Sequence, residues 1–180
     1  MKPTTVYPKN ARVMSLRSDS FVKTFEIARS MSAALHDGDA VVCIATSSQR
    51  HEIEQQLKGR GIDVVDALMK EQFVCLNALD TVMRIIVDDV PDVIRFAEVI
   101  GATVDRASTR YTRVLLFGEL GLLLRSTGNA SGAKTLDELW TSFVESRPAF
   151  FRSLDVAAIM RGREEQHRVS HVDGALALSD

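Results

Sequence analysis

Three short, unbroken apolar runs constrain the fold of this chain more than any other feature. They are Val41–Ala45, Phe73–Leu76 and Val114–Phe117. Each run is too short to form a helix of ordinary length, and a strand with one solvated face would alternate apolar and polar residues. Continuous runs of this kind are typical of strands covered on both faces. We therefore predict that the three runs lie parallel in one central sheet.

The segments between and after these runs carry apolar residues at helical spacing. A helix before the first run is predicted to bury Phe21, Phe25, Ala28 and Leu35. The next helix is predicted to begin at a cap formed by Ser47 or Ser48 and to bury Ile53 and Leu57.

Two longer helices follow in the second half of the chain. One is a crossover helix predicted to start at Pro91, where a missing N–H is best tolerated, and to bury Ile94, Ala97 and Val104. The other is predicted to bury Leu136, Leu139, Trp140 and Phe143, and residues 149–156 are read as a last strand. With no Asn-Gly hairpin signal between strands, this alternation predicts a three-layer α/β/α sandwich with a mainly parallel sheet.

Length and composition limit the organisation and the functional class. The 180 residues are 46% hydrophobic and 26% charged, which fits one globular domain over residues 19–160, with an N-terminal arm at 1–18 and a flexible tail at 161–180. A formal net charge of -2 gives no reason to expect direct nucleic-acid or membrane binding. Without a membrane span or an apolar leader, we expect a cytoplasmic protein. Cys43 and Cys75 lie in apolar runs and are expected to be buried, reduced thiols rather than a disulfide.

Polar residues follow each apolar run and form the candidate ligand site. Glu119 and Gly118 follow the third run, Thr46 and Ser47 follow the first, and Asn77 follows the second. Ligands of open α/β sheets bind at the carboxyl ends of the strands, so these five residues are predicted to converge on one crevice. The alternative is that Ser47 and Asn77 cap helices and that Glu119 lies in the first turn of a helix, where its charge favours the dipole.

Other motifs give no catalytic or metal assignment. Segment 128–135, "GNASGAKT", differs from a phosphate-binding loop by Ala133 in place of the second glycine, and a helix precedes it instead of a strand. It is interpreted as a helix-to-helix connection. Asp88, Asp89 and Asp92 are interpreted as a solvated loop in preference to a cation site, and His167 and His171 lack a third metal ligand. No nucleophile motif is present, so we expect neither catalysis nor a cofactor.

Several stretches together resemble the MEDS family, the methanogen/methylotroph DcmR sensory domain. They are "AALHDGDAVVCIAT", "RHEIEQQLKGRGIDV", "VDDVPDVIRFAEVIG", "VLLFGELGLLLRSTGN" and "LDELWTSFVESRPAF", and the likeness runs from about Phe21 to Met160. The positions that carry it are Gly38, Asp88, Pro91, Asp92, Phe96, Gly118, Glu119, Gly128, Asn129, Leu139 and Trp140. The resemblance implies a cytoplasmic sensory module related to the RecA and KaiC ATPase core but without a working P-loop. Of these residues, it implies ligand contact only for Glu119.

The resemblance also implies a function. Domains of this family look like sensors of small organic molecules that are coupled to DNA-binding or histidine-kinase domains. Since no output domain follows here, we expect a non-catalytic domain that binds a small organic ligand and signals in trans to a kinase or a transcription regulator. A homodimer is compatible with this role. The alternatives are a degenerate KaiC-like nucleotide binder and a protein-interaction module without a ligand.

Overall fold

The computed structural model describes residues 20–146, and the helices and strands within that range follow the predicted alternation. The strands are β1 (Ala40–Ala45), β2 (Phe73–Asn77), β3 (Ile86–Val87), β4 (Val90–Pro91) and β5 (Val114–Gly118). The helices are α1 (Ser20–His36), α2 (Ser47–Gly59), α3 (Val64–Met69), α4 (Ala78–Ile85), α5 (Val93–Phe96), α6 (Ala102–Ser108), α7 (Leu120–Ser126) and α8 (Ala130–Glu145). A π-helical segment, Ala97–Gly101, joins α5 to α6.

The three predicted strands form one parallel sheet in the order β2-β1-β5, as expected. In this register Cys43 of β1 lies between Cys75 of β2 and Phe117 of β5. Every residue of β1 and β5 is buried. In β2 only Phe73 is buried and Asn77 is exposed, so the prediction of a fully covered second strand was too strong. β2 lies at an edge of the described sheet, where fewer neighbours cover it.

Helices cover both faces of this sheet, which confirms the predicted α/β sandwich. Helices α1, α2 and α3 pack on the face that carries Val41, Cys43 and Ala45. Helices α4 to α8 pack on the opposite face, which carries Val42 and Ile44. The alternating side chains of a strand point to opposite faces, so the unbroken apolar character of β1 follows directly from its two helical layers.

The predicted buried face of α1 was wrong at one position. Ala28 and Leu35 are buried as expected, but the side chain of Phe25 is 43% exposed. Its ring lies 4.3 Å from the guanidinium carbon of Arg60, which is a cation–π contact at the surface. The side chain of Phe21 lies outside the described part of the chain.

The crossover helix is not a regular α-helix, and this displaces its predicted face. Val104 is buried as expected, whereas Ile94 is 65% exposed and Ala97 also faces solvent. The π-helical turn between α5 and α6 inserts extra backbone into the helix, which rotates the preceding turn relative to the following one. Phe96 is therefore buried, although regular helical spacing predicted Ile94 and Ala97 as the buried residues of this turn.

A two-stranded antiparallel ribbon, β3 and β4, precedes the crossover helix, although no Asn-Gly signal marks its turn. Its turn residues Asp88 and Asp89 both have positive φ, at 48° and 65°, as a tight hairpin turn requires. Pro91 lies in β4 and does not start the helix. Asp92 caps α5 instead, because its Oδ1 accepts a hydrogen bond from the backbone N–H of Arg95.

The segment that resembles a phosphate-binding loop connects two helices, as predicted. Gly128 follows α7 with a φ of 83°, and the side chain of Asn129 caps α8 by accepting from the N–H of Gly132. The rest of the segment forms the first turns of α8. Of the predicted inward residues of α8, Leu136, Trp140 and Phe143 are buried and Leu139 is half-buried.

Several predictions fall on residues that the structure does not describe. These are the arm at 1–18, the strand at 149–156, the tail at 161–180 and the pair His167 and His171. Within residues 20–146, no helix has the length and apolar character needed to cross a bilayer.

Candidate functional site

The carboxyl edge of the sheet is the place where the helical layers separate. β1, β2 and β5 end side by side, with Ala45 opposite Asn77 and Ile44 opposite Gly118. From these ends α2 leaves toward one face of the sheet, while α4 and α7 leave toward the other. Connections that diverge in this way leave a crevice between neighbouring strand ends, which is where open α/β sheets bind ligands.

A cleft of about 300 Å³ opens at this edge, between the ends of β1 and β2 and the first turns of α2. It is lined by Ala45, Ser47, Arg50, His51, Glu54 and Asn77. Its volume is at the lower end of the range of small-molecule sites. Two of the five predicted ligand-binding residues, Ser47 and Asn77, therefore line one cleft.

Asn77 joins the two sides of the cleft. Its Oδ1 accepts hydrogen bonds from the backbone N–H groups of Leu79 and Asp80, at 2.9 and 3.1 Å, and so caps α4. Its Nδ2 donates to the Oγ of Ser47, at 3.3 Å, across the gap between β2 and α2. Asn77 thus caps a helix, as the alternative interpretation held, and it also lines the cleft.

The remaining polar side chains of the cleft come from α2. Arg50 Nε donates to Glu54 Oε1 at 2.7 Å, and this hydrogen bond is the main cause that raises the pKa of Arg50. His51 lies beside this pair and faces solvent. The cleft therefore offers a polar molecule hydrogen-bond donors and acceptors, with one positive charge on Arg50 and one negative charge on Glu54.

Sequence reasoning did not identify Arg50, His51 and Glu54 as site residues. A signal was present, since these residues fall in the first two turns of a helix that begins directly at the carboxyl edge of β1. The sequence predicted that Ile53 and Leu57 face inward, but only the position of α2 beside the end of β2 shows that Arg50, His51 and Glu54 line a cleft.

Glu119 is placed on the other side of β1, toward β5. Its backbone N–H donates to the carbonyl of Ile44, and its Oε2 accepts a hydrogen bond from the backbone N–H of Thr46 at 3.5 Å. Burial raises the pKa of Glu119, with a smaller contribution from the charge of Glu52, while the bond from Thr46 lowers it. Glu119 is thus a half-buried acid held against the end of β1, and it is not among the residues that line the cleft.

Thr46 and Gly118 have structural contacts at the same edge. Thr46 caps α2 by accepting from the N–H of Gln49, so the predicted caps Ser47 and Ser48 were wrong. Ser47 and Ser48 are the first two residues of α2 itself, so the cap position falls on the preceding residue. Gly118 is buried, and a Cβ there would lie 3.3 Å from Cζ2 of Trp140.

The acidic residues near the hairpin have structural roles in the described part of the chain. Within residues 20–146, no group of three or more His, Cys, Asp or Glu side chains is close enough to hold an ion. Asp88 and Asp89 form the turn of the β3–β4 ribbon, and Asp92 caps α5.

Comparison with known proteins identifies the family. Searches of the curated proteins and of the solved structures found no match. The family model described as "MEthanogen/methylotroph, DcmR Sensory domain" matches residues 25–154, which includes the sheet, the cleft and Glu119. The chain therefore belongs to the MEDS family of sensory domains.

Proposed function

We propose that this sensory domain binds a small, polar organic molecule in the cleft at the carboxyl edge of β1 and β2. It acts without catalysis and passes the occupied state to a partner protein. The observation that carries the proposal is the convergence of Ser47 and Asn77 on one cleft of about 300 Å³ in a sensory-domain fold. A sensor needs a site that is accessible and polar, and this cleft has both properties.

The lining defines the class of ligand. Ser47 and Asn77 supply a hydroxyl and a carboxamide, and Arg50 and Glu54 supply a paired cation and anion. A ligand that carries hydroxyl, carboxylate or amine groups can replace the water on these side chains with hydrogen bonds of similar strength. A wholly apolar molecule would displace the water on these side chains without replacing its hydrogen bonds, which is costly.

We propose that Glu119, Gly118 and Thr46, at the adjoining ends of β1 and β5, extend the ligand site beyond the cleft. The carboxylate of Glu119 holds the N–H of Thr46, the residue that precedes Ser47 in the wall of the cleft. A ligand long enough to extend across the end of β1 would reach this carboxylate and donate a hydrogen bond to it. Glu119 thus remains a proposed ligand-facing residue, with Ser47 and Asn77 as the nearer contacts.

A thermal-shift screen with nucleotides and small organic metabolites tests ligand binding. A ligand present at 100 times its Kd adds about 2.7 kcal/mol to the free energy of unfolding. We expect a polar metabolite to raise Tm, and we expect Ser47→Ala to weaken that response. Glu119→Gln keeps the shape and removes the charge, so it reports whether the ligand reaches β5. If no polar metabolite raises Tm, or if Ser47→Ala leaves every response unchanged, the cleft is not the ligand site.

Signal transfer to a partner is proposed to use an exposed apolar surface that begins beside the cleft. Asn77 caps α4, and α4 leads into the β3–β4 ribbon and α5, which pack against one another. Six large apolar side chains of these elements are exposed: Leu79, Met83, Val87, Val90, Val93 and Ile94. Exposed apolar side chains grouped on adjoining elements are typical of protein interaction sites. We call this group the α4–α5 surface.

The charges around the α4–α5 surface indicate what kind of partner fits it. Within residues 78–95 four carboxylates and two guanidinium groups leave a formal charge of -2. We therefore propose a signalling protein, a kinase or a transcription regulator, whose contact surface is apolar with a basic rim. Asn77 both lines the cleft and caps α4, so we propose that a ligand that takes the place of Ser47 as its hydrogen-bond partner shifts the start of α4 and thereby this surface.

Site-specific photo-crosslinking in cells tests the partner. A photoreactive residue is placed at Met83 on the α4–α5 surface and, as a matched control, at Met69, which is also exposed but lies on α3. We expect a crosslink from position 83 to a protein with a kinase or DNA-binding domain, and a much weaker one from position 69. Equal crosslinking at both positions, or a crosslink from position 83 only to a second copy of this chain, would contradict the proposal.

Nucleotide binding by segment 128–135 is the alternative, and it is tested separately. Calorimetry with magnesium and ATP is expected to show no binding, since the segment forms a helix cap and the first turns of α8. Micromolar binding that disappears in Lys134→Ala would favour the alternative over a metabolite sensor.

A further inference from the structure

Two thiols lie on the sheet face that leads into the cleft. Cys43 and Cys75 are direct partners in the β1–β2 register, and neither is in a disulfide. Side chains two residues apart on a strand share a face, so Cys43 lies one pleat below Ala45 and Cys75 one pleat below Asn77. Ala45 and Asn77 both line the cleft. The two thiols therefore lie directly below residues that line the cleft.

The strand register brings the Cα atoms of Cys43 and Cys75 within the separation that a disulfide spans. Neighbouring strands of a sheet are about 4.8 Å apart. Disulfides join Cα atoms that are about 4.4–6.8 Å apart. Because paired residues of a parallel ladder point their side chains to the same face, both sulfurs are on the α2 side of the sheet. The two thiols are close enough for each to shift the pKa of the other.

The two thiols differ in access and in acidity. Cys43 is fully buried, whereas Cys75 is only partly buried beside the cleft. Hydrogen bonding to Cys43 lowers the pKa of Cys75, and the charge of Arg50 lowers it further, although burial acts in the opposite direction. The same hydrogen bond, together with burial, raises the pKa of Cys43. Cys75 is thus the better nucleophile and the one a small reagent can reach.

We propose that Cys75 and Cys43 form a hydroperoxide-sensitive dithiol in which Cys75 reacts first and Cys43 resolves the product into a disulfide. The inference stands on the paired register, the unequal burial of the two thiols and their position under the cleft. It goes beyond the proposed ligand binding and does not depend on it. Oxidation would link β1 to β2 one pleat below Ala45 and Asn77, which both line the cleft.

The chemistry is a two-step oxidation by a hydroperoxide. The Cys75 thiolate attacks one oxygen of the O–O bond, an S–O bond forms, and the other oxygen leaves and takes a proton from water as an alcohol, or as water when the oxidant is hydrogen peroxide. The sulfur of Cys43 then attacks the sulfur of the Cys75 sulfenic acid. The S–S bond forms, the S–O bond breaks, and the hydroxide leaves with the Cys43 proton as water. Two thiols are oxidised and one peroxide is reduced.

Treatment of the reduced full chain with hydrogen peroxide tests the proposal. Cys43 and Cys75 are the chain's full complement of two cysteines, so intact mass and peptide mapping assign every product. We expect the wild-type protein to lose two hydrogens, to yield a peptide that links Cys43 to Cys75, and to recover both thiols with dithiothreitol. Cys43→Ser should accumulate a sulfenic acid on Cys75 that dimedone traps. Cys75→Ser should leave Cys43 unmodified while folded.

A matched pair of arginine variants tests the role of the cleft. Arg50→Gln should slow the reaction of Cys75 several-fold, whereas Arg29→Gln should not, although Arg29 also pairs with a carboxylate one turn away on its helix. Circular dichroism melting checks that each variant is folded, and Cys→Ala variants replace any serine variant that is not. An unreacted wild-type dithiol, disulfides only between chains, or reaction of Cys43 in Cys75→Ser at the wild-type rate would overturn the inference. No ligand enters this assay, so its failure is distinct from failure of the proposed ligand binding.

Discussion

Substitution of Asn77 separates the stability of the fold from the response to ligand. Asn77→Ala removes the acceptor for two backbone N–H groups of α4 and the donor to Ser47. Loss of an N-cap costs about 1 kcal/mol. The exposed hydrogen bond to Ser47 adds about 0.5 kcal/mol at the low end of the usual range. The expected loss is therefore about 1–2 kcal/mol, which lowers the Tm of a domain of this size by about 2–8 °C.

Asn77→Asp is the informative counterpart. The carboxylate keeps both acceptor contacts and places a negative charge at the start of α4, which contributes about 0.3–1 kcal/mol in favour of the helix. It cannot donate to Ser47, and it adds an anion to a cleft that already contains Glu54. We expect a Tm close to that of the wild-type protein together with a reduced ligand-induced shift.

Asp63→Ala is the matched control. Asp63 caps α3 through the N–H of Asp66 at 2.9 Å, so its removal also costs one N-cap, but it does not line the cleft. Urea titration and thermal shift are measured for all three variants with and without the ligand found in the screen. The reasoning is refuted if Asn77→Ala matches the wild-type stability, or if Asp63→Ala loses the ligand response to the same degree as Asn77→Asp.

Three further predictions concern neighbouring elements. Gly118→Ala should cost about 1–3 kcal/mol in urea titration, because the new methyl group meets Trp140 at 3.3 Å in a closed core, whereas Gly59→Ala, with open space around its Cβ, should not destabilise. Asp89→Gly should stabilise the protein by up to about 1 kcal/mol, since glycine accepts the positive φ of the hairpin turn without strain; an unchanged urea midpoint would contradict this. Burial raises the pKa of Glu119, so its ionisation costs more in the folded chain, and stability falls as the pH rises from 4.5 through the raised folded pKa. Glu119→Gln should remove that fall in a pH series of urea titrations, and an unchanged pH profile would show that the burial of Glu119 does not affect stability.

The sequence predicted the strands because their signal is local. Val41–Ala45 and Val114–Phe117 are continuous apolar runs, and only a two-sided cover by helices makes such runs stable in a sheet. The same reasoning placed Glu119 and Asn77 at one edge, since parallel strands end together. The helix faces were mostly predicted where the helix is regular, as for Ile53 and Leu57 of α2, although Phe25 of the regular helix α1 is exposed. They failed at Ile94, because a π-helical turn changes the spacing and leaves no composition signal.

By itself, the sequence determined the α/β order, the parallel sheet and the family, because hydrophobic periodicity and motif order depend on neighbours along the chain. Tertiary structure alone decided which polar strand ends share a cleft. The divergence of α2 from α4 and α7 puts Ser47 and Asn77 together with Arg50, while Glu119 turns to Thr46 on the far side of β1. It also decided that Cys43 and Cys75, 32 positions apart, are partners. Register and helix departure arise from contacts between distant segments, and no local pattern of residues encodes them.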